Sequence, residues 1–259
     1  MKCGEKAMTR DIVLKVTNVN KTFELKNNNC IKAVDNVSFS LKQGKTLGIV
    51  GESGCGKTTL CRIIMGVCPP DSGSVVVCGK NVYQNNAFAH CKDIQFVFQN
   101  PVSALNPAFT IRRSLMDYFI INKKKLPNNE LDKQLKKLLD MVSLESSCLD
   151  RYPHELSGGQ CQRVCIARAL LPNPKIIICD EVTSALDVST QAYIVNMLLE
   201  LQKETGVSYV FISHDMGVIR HMSDEIAIMY NGAIIEYDKA AKIYRAPKHS
   251  YTKKLLLVD

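Results

Sequence analysis

The sequence predicts an α/β fold with an inserted helical lobe, on three observations. A nearly unbroken apolar run, "KTLGIV" at 45–50, leads straight into a glycine-rich loop and then a stretch of helical character. Two further runs of the same kind, "KIIICDE" and "SYVFIS", return late in the chain and end on polar residues. Between the first run and these, from about Asn106 to Leu170, the hydrophobic spacing turns helical. Unbroken apolar strands are the kind buried on both faces of a parallel or mixed sheet, whose connections are helical crossovers.

Before the first run, "DIVLKVTNV" and "VSFSL" read as short strands closed by the turn "KQG", and the asparagine- and lysine-rich "KNNNCIK" between them is expected to be a surface loop. After it, Lys57 to Gly66 reads as a helix that stops at glycine, followed by the turn signal "CPPDSG". "SVVVCG" and "IQFVFQ" are further strands. In the lobe, Leu131, Leu135, Leu138, Leu139 and Val142 share one helical face, while Lys133, Gln134, Lys136 and Lys137 fall mostly on the other. Val188 to Glu204 reads as helix, and "IAIMYNGAIIEY" as two strands around a tight Asn231-Gly232 turn. The organisation expected is one domain over 1–259, with a helical subdomain at approximately 106–170 and a hairpin and helical tail at approximately 226–259.

With 259 residues, 46% of them apolar, the chain can bury one sizeable core. The net charge of +8, to which runs such as Lys123-Lys124-Lys125 contribute, permits nucleic acid, a membrane surface or a polyphosphate ligand and selects none. No run approaches 18 successive apolar residues, so no membrane span is expected, and the start "MKCGEKAMTRDIVLKV" lacks the apolar stretch of a signal peptide. The eleven cysteines are odd in number and form no Cys-x-x-Cys, which reads as reduced thiols. Cys161 and Cys165 share a helical face, yet no second pair lies nearby to complete a four-ligand metal site, so both are read as core thiols.

The chemistry begins at "GESGCGKT", residues Gly51, Glu52, Ser53, Gly54, Cys55, Gly56, Lys57 and Thr58, with a strand before and a helix after. Small residues let successive backbone amides face phosphate oxygens, and the helix start, with Thr59, adds unpaired N–H groups. Lys57 is expected to reach the β and γ phosphates of ATP, and Thr58 to ligate Mg²⁺. A phosphate loop needs a metal-holding partner, and "IIICDE" carries Asp180 and Glu181 to a strand end. Asp180 is assigned the metal, directly or through water, and Glu181 the role of base or water-orienting group. His214, after "SYVFIS", and Gln99, after "DIQFVF", are candidates for the γ phosphate and the metal, with Gln95 the weaker choice because it lies inside a strand. No nucleophilic triad is evident, so the reaction expected is phosphoryl transfer to water, driven by positioning and electrostatics.

In this order the motifs resemble the ATPase subunits of ABC transporters: the loop at Gly51–Thr58, Gln99, "LSGGQ" at Leu156–Gln160, "IIICDE" at Ile176–Glu181, "SALD" at Ser184–Asp187, and His214. The resemblance implies a P-loop nucleotide-binding cassette with a RecA-like core, an antiparallel β subdomain and an inserted helical subdomain. It implies catalytic roles for Lys57, Glu181, His214 and Gln99, Mg²⁺ held by Thr58, Gln99 and Asp180, and adenine stacked on Phe23 with Val34 against the same base. It also implies head-to-tail pairing, so that Ser157, Gly158, Gly159 and Gln160 meet ATP seated on another subunit's loop and Asp187 couples the two sites.

Within that family, "VFQNPVSALNP", "CDEVTSALDVSTQA" and "APKHSYTKKLL" look like the oligopeptide, dipeptide and nickel import branch, and the short stretch after "YT" leans toward nickel or metal chelates. The branch implies a peripheral ATPase at the cytoplasmic face of the membrane. Its partners are two transmembrane permeases, an extracytoplasmic solute-binding protein and a second ATPase subunit, either a related chain or a second copy; no nucleic acid is expected. The competing readings are a cytosolic ABC-type ATPase of a non-transport assembly, or one of nucleic-acid maintenance or translation. Against the last stand the single cassette and the one compact lobe between Lys57 and Ser157. Three residues depart from the family pattern: Cys161, expected to alter rate or a partner contact and to make the site oxidant-sensitive, Val182 in place of proline, and Phe23 in place of tyrosine.

Overall fold

The computed structural model describes residues 11–24, 30–84, 92–123 and 126–258. The chain start, most of the asparagine-rich loop, and Lys124 and Lys125 of the basic run lie outside the described residues. The chain opens with β1 (Ile12–Glu24) and β2 (Cys30–Lys42), long antiparallel partners, followed by β3 (Thr46–Val50) and helix α1 (Lys57–Ile64). Next come β4 (Ser72–Val77), β5 (Lys80–Asn81) and β6 (Ile94–Val97), then helices α2 (Pro101–Ala104), α3 (Ile111–Ile121), α4 (Asn128–Met141) and α5 (Gly158–Leu170). The remainder alternates: β7 (Ile176–Asp180), α6 (Val188–Thr205), β8 (Ser208–Ile212), α7 (Met216–Met222), the hairpin β9 (Glu225–Tyr230) and β10 (Ala233–Lys239), then α8 (Ala240–Arg245) and α9 (Ser250–Val258).

Two sheets result, one four-stranded in the order β2-β1-β4-β5 and one six-stranded in the order β10-β9-β3-β8-β7-β6. In the larger sheet β3, β6, β7, β8 and β9 are parallel neighbours, and β10 returns antiparallel as the hairpin edge. The hairpin turn places Asn231 and Gly232 at positive φ, the geometry a two-residue turn between right-twisted strands requires.

The apolar runs are continuous because both faces of this sheet are covered, and the period of two decides which core each residue enters. Ile177, Cys179, Tyr209, Phe211, Ile226 and Ile228 face the core that extends into the helical lobe. Ile176, Ile178, Val210, Ile212, Ala227 and Met229 face the core shared with α1 and the antiparallel sheet. Tyr209 is fully buried and donates its hydroxyl to the Leu198 carbonyl at 3.0 Å, so its polar end costs little. In the lobe, Leu135, Leu138, Leu139 and Val142 are buried and Leu131 packs against them, while Arg112 ties α3 to Asp132 and Asp150.

The early strands run further than the sequence predicts. Cys30–Lys32, assigned to a surface loop, belong to β2 and pair with Thr22, Phe23 and Glu24 of β1. Bulges hide this ladder from a period-two reading: the β1–β2 register shifts at several points, Asn18 and Asn36 take positive φ, and the buried residues of β2 are Val34, Val37, Phe39 and Leu41.

Candidate active site

Parallel strands all point the same way, so the residues following β3, β6, β7 and β8 collect along one edge of the sheet, where open α/β sheets bind ligands. The register makes this specific. Val97 pairs with Cys179, Asp180 with Ile212, and Ile49 with Ile212, so Gln99, Glu181, His214 and Gly51 each follow a strand end at nearly the same height.

The phosphate loop is built by close backbone approaches that only glycine permits. A Cβ on Gly51 would lie 2.2 Å from the Met229 carbonyl oxygen, and one on Gly56, at φ +107°, would lie 2.0 Å from that of Ala33. β9 and β2 therefore press on the loop from two sides. The Gly232 amide of the hairpin turn also donates to the Cys55 carbonyl at 3.0 Å. Lys57 is 6% exposed and its ammonium donates to the carbonyls of Gly51 (2.5 Å) and Glu52 (2.8 Å), folded back across the loop. Glu52, Ser53, Gly54 and Thr58 are exposed around it, with Thr59 half-buried on the first turn of α1.

Four polar side chains meet beside this loop. Gln99 donates its amide N–H to Glu181 Oε2 at 2.9 Å and to Ser184 Oγ at 3.2 Å, and His214 Nδ1 lies 3.7 Å from the same Glu181 oxygen. Ser184, which the sequence suggested only as part of "SALD", donates in turn to the Glu181 carbonyl at 2.9 Å. Glu181 has φ +49°, a left-handed backbone that a non-glycine residue holds at a cost of about 1–3 kcal/mol. Its amide is fixed by the Ile212 carbonyl at 3.0 Å. Asp180 hydrogen-bonds Thr58; burial first, and then the Glu181 charge, push its carboxyl up from the ordinary value, against the opposing pull of Lys57.

Among the described residues no three or more His, Cys, Asp or Glu side chains cluster as a metal site. A magnesium ion carried by nucleotide phosphates needs only one or two protein oxygens, and the Thr58 hydroxyl and Asp180 carboxylate, already joined, are hard donors of that kind. The residues present fit the ion.

"LSGGQ" forms the start of α5 rather than part of this cluster. Ser157 caps the helix: its hydroxyl accepts from the Gln160 amide at 3.2 Å, and its own amide donates to Gln160 Oε1 at 2.9 Å. Ser157 and Gly158 are exposed. The neighbours of the glycines are on the Ser184–Thr190 turn: a Cβ on Gly159 would lie 2.6 Å from Thr190 Cγ2, and one on Gly158 would lie 3.8 Å from Leu186 Cδ2. Asp187 caps α6 from that turn, and hydrogen bonds from Ser189 and then from the Thr190 amide and hydroxyl hold its carboxyl well below the usual range.

Two expectations are corrected. Val34 is fully buried in the core beneath the antiparallel sheet and offers no surface to a base. Phe23 remains available, 41% exposed, with the Lys21 ammonium 5.5 Å from its ring centroid. Cys161 is neither a partner contact nor an oxidant-sensitive group: it is fully buried, burial pushes its thiol up, and Sγ lies 3.3 Å from the Pro153 carbonyl oxygen. Cys165 is buried as well, and burial pushes its thiol up to about 11. Brief alkylation of the folded chain at neutral pH should label exposed Cys30 and leave Cys161 unmodified. Peptide mass mapping reads the result, and early labelling of Cys161 would contradict its burial.

A family profile described as "ABC transporter" matches residues 34–184. The oligopeptide transport ATP-binding protein OppF of Haemophilus influenzae is 42% identical over 258 residues, covering 95% of this chain and 78% of that protein. The dipeptide transport ATP-binding protein DppF of the same organism is 45% identical over 229 residues, covering 87% of this chain and 70% of that protein. Among solved structures, cbiO1 from Clostridium perfringens, part of the cbiONQ transporter complex, matches with TM-score 0.80 at 28% identity, covering 91% of this chain and 92% of that one. The dimeric ATP-binding cassette MJ0796, in a post-hydrolysis state with ADP and phosphate, matches with TM-score 0.78 at 33% identity, covering 88% of this chain and 98% of that one. With the phosphate loop, the paired carboxylates and the capped "LSGGQ" helix on one scaffold, the chain belongs to the ABC transporter family and is one of its ATP-binding subunits, an ATPase.

Proposed function

We propose that this subunit hydrolyses ATP to energise import of short peptides through a membrane permease pair. The observation that carries the reading is the meeting of Gln99, Glu181 and His214 beside the phosphate loop, while the second anion-ready element, the Ser157 helix start, is exposed and packs against the Ser184–Thr190 turn. In this reading adenine stacks on Phe23, and the loop and helix-start amides from Ser53 to Thr59 take the phosphates. Lys57 exchanges its loop carbonyls for the β and γ oxygens. Thr58, Asp180 and Gln99 hold Mg²⁺, which when bound neutralises charge on the phosphate oxygens. Glu181 takes the proton of, or orients, the attacking water, and His214 contacts the γ phosphate.

The exposed helix start then completes a site on a second ATPase subunit, where Ser157, Gly158, Gly159 and Gln160 offer a hydroxyl and helix N-terminal amides to its γ phosphate. Asp187 links the two sites through the same turn. No described helix is long and apolar enough to cross a membrane. In this reading the subunit docks to two permeases at the cytoplasmic face, and an extracytoplasmic solute-binding protein delivers cargo. The oligopeptide and dipeptide transport names of the relatives above favour a peptide over nickel or a metal chelate.

The deciding experiment is co-purification with native partners and reconstitution in vesicles. Labelled di- and oligopeptides are expected to enter only with ATP, and Lys57→Ala should abolish uptake. Uptake of free or chelated nickel without peptide overturns the cargo, and failure to recover a permease overturns the transporter reading.

A further inference from the structure

The phosphate loop has a support that the ATPase chemistry does not account for. Tyr251, on α9, is 9% exposed, and its hydroxyl oxygen accepts a hydrogen bond from the Glu52 amide at 3.0 Å. Glu52 N–H and Gly51 C=O are the two ends of one peptide unit, and Lys57 donates to that carbonyl at 2.5 Å. Tyrosine and lysine thus hold opposite ends of the same plane. The tyrosine is itself fixed: its ring packs on Tyr230 with centroids 4.5 Å apart, and the Glu236 carboxylate accepts the Lys248 and His249 amides at 2.9 and 3.1 Å just ahead of α9.

We propose that Tyr251 is a positioning residue for the phosphate loop, setting how tightly the loop holds nucleotide. The inference rests on the ATP-site reading above. When Lys57 leaves the Gly51 carbonyl for phosphate oxygens, the Tyr251 hydroxyl is the hydrogen bond that still fixes this peptide unit. A pinned loop loses less conformational freedom when it closes on its ligand, so the contact acts on affinity.

The test is Tyr251→Phe in the purified chain, which keeps the ring on Tyr230 and removes only the oxygen. A neutral hydrogen bond of ordinary net worth translates into about three- to tenfold weaker binding. Because the contact lies at the loop's start and not at the γ phosphate, ADP and ATP should weaken alike by calorimetry, and KM should rise while kcat holds. A lowered thermal midpoint with unchanged ADP and ATP affinity would assign the hydroxyl to stability alone and overturn the proposal. Lys57→Ala in parallel separates the two readings. If it loses ATP while Tyr251→Phe binds as the native chain does, the tyrosine's role falls and the ATP site stands; if it binds ATP normally, the ATP-site reading falls and takes the proposal with it.

Discussion

Glu181→Gln is expected to bind ATP as the native chain does and to lose turnover by roughly two to four orders of magnitude, the usual worth of a positioned general base. The substitution is nearly isosteric, and an amide oxygen can still accept the Gln99 N–H that reaches this side chain at 2.9 Å. Of the groups assigned to phosphate and metal, Lys57 and Thr58 keep their contacts, Gln99 keeps an acceptor, and Asp180 loses only the neighbouring charge that helps push its carboxyl up. What disappears is the carboxylate's affinity for a proton, at an oxygen also 3.7 Å from His214 Nδ1. Loss falling on kcat with binding preserved is the signature of an interaction made in the transition state. Binding by calorimetry and phosphate release under saturating ATP separate the two quantities. Native turnover would remove Glu181 from the chemistry; loss of binding would make its role structural.

The candidate members of this site could be proposed from sequence because each sits where a strong local rule ends. "TLGIV" and "IIIC" are apolar on both faces, so the loop glycine Gly51 and the carboxylate Asp180 that break these runs mark strand ends, and in a parallel sheet those ends share one edge. What was not legible depends on register or on contacts far apart in the chain. Whether Val34 faces a ligand or the core is a question of parity, and the bulge at Asn36 resets the parity of β2. Cys161 follows an exposed loop by a few residues, yet the helical turn carries it inward to Pro153. Tyr251 reaches Glu52 across 199 positions, and no pattern within either segment announces the meeting. Ser184 was within reach: "SALD" follows the carboxylates by a tight turn, and a hydroxyl there had a carbonyl and an amide to meet.

The second large effect is expected from Ser157→Asp, and its value lies in separating two functions of one side chain. Ser157 caps α5, and replacing it with alanine would mix a stability loss of about 1 kcal/mol with any loss of ligand contact. Aspartate caps as well as serine and its charge suits a helix N-terminus, so the fold should hold. The same charge would face a γ phosphate, and hydrolysis should fall at least a hundredfold, whereas Ser157→Asn, a neutral cap, should lose much less. Where the damage appears decides the architecture. In a purified pair in which one chain carries Ser157→Asp and the other the loop-lysine-to-alanine change, head-to-tail assembly leaves one site with an intact loop and an intact opposing helix start. About half of the native activity should survive. Placing both changes on one chain opposite a native partner leaves no intact site and should silence the pair. If each chain instead used its own helix start, the outcomes would exchange, the divided pair falling silent and the doubled one keeping half. Phosphate release from the two mixtures therefore distinguishes a shared site from a private one by the sign of the difference.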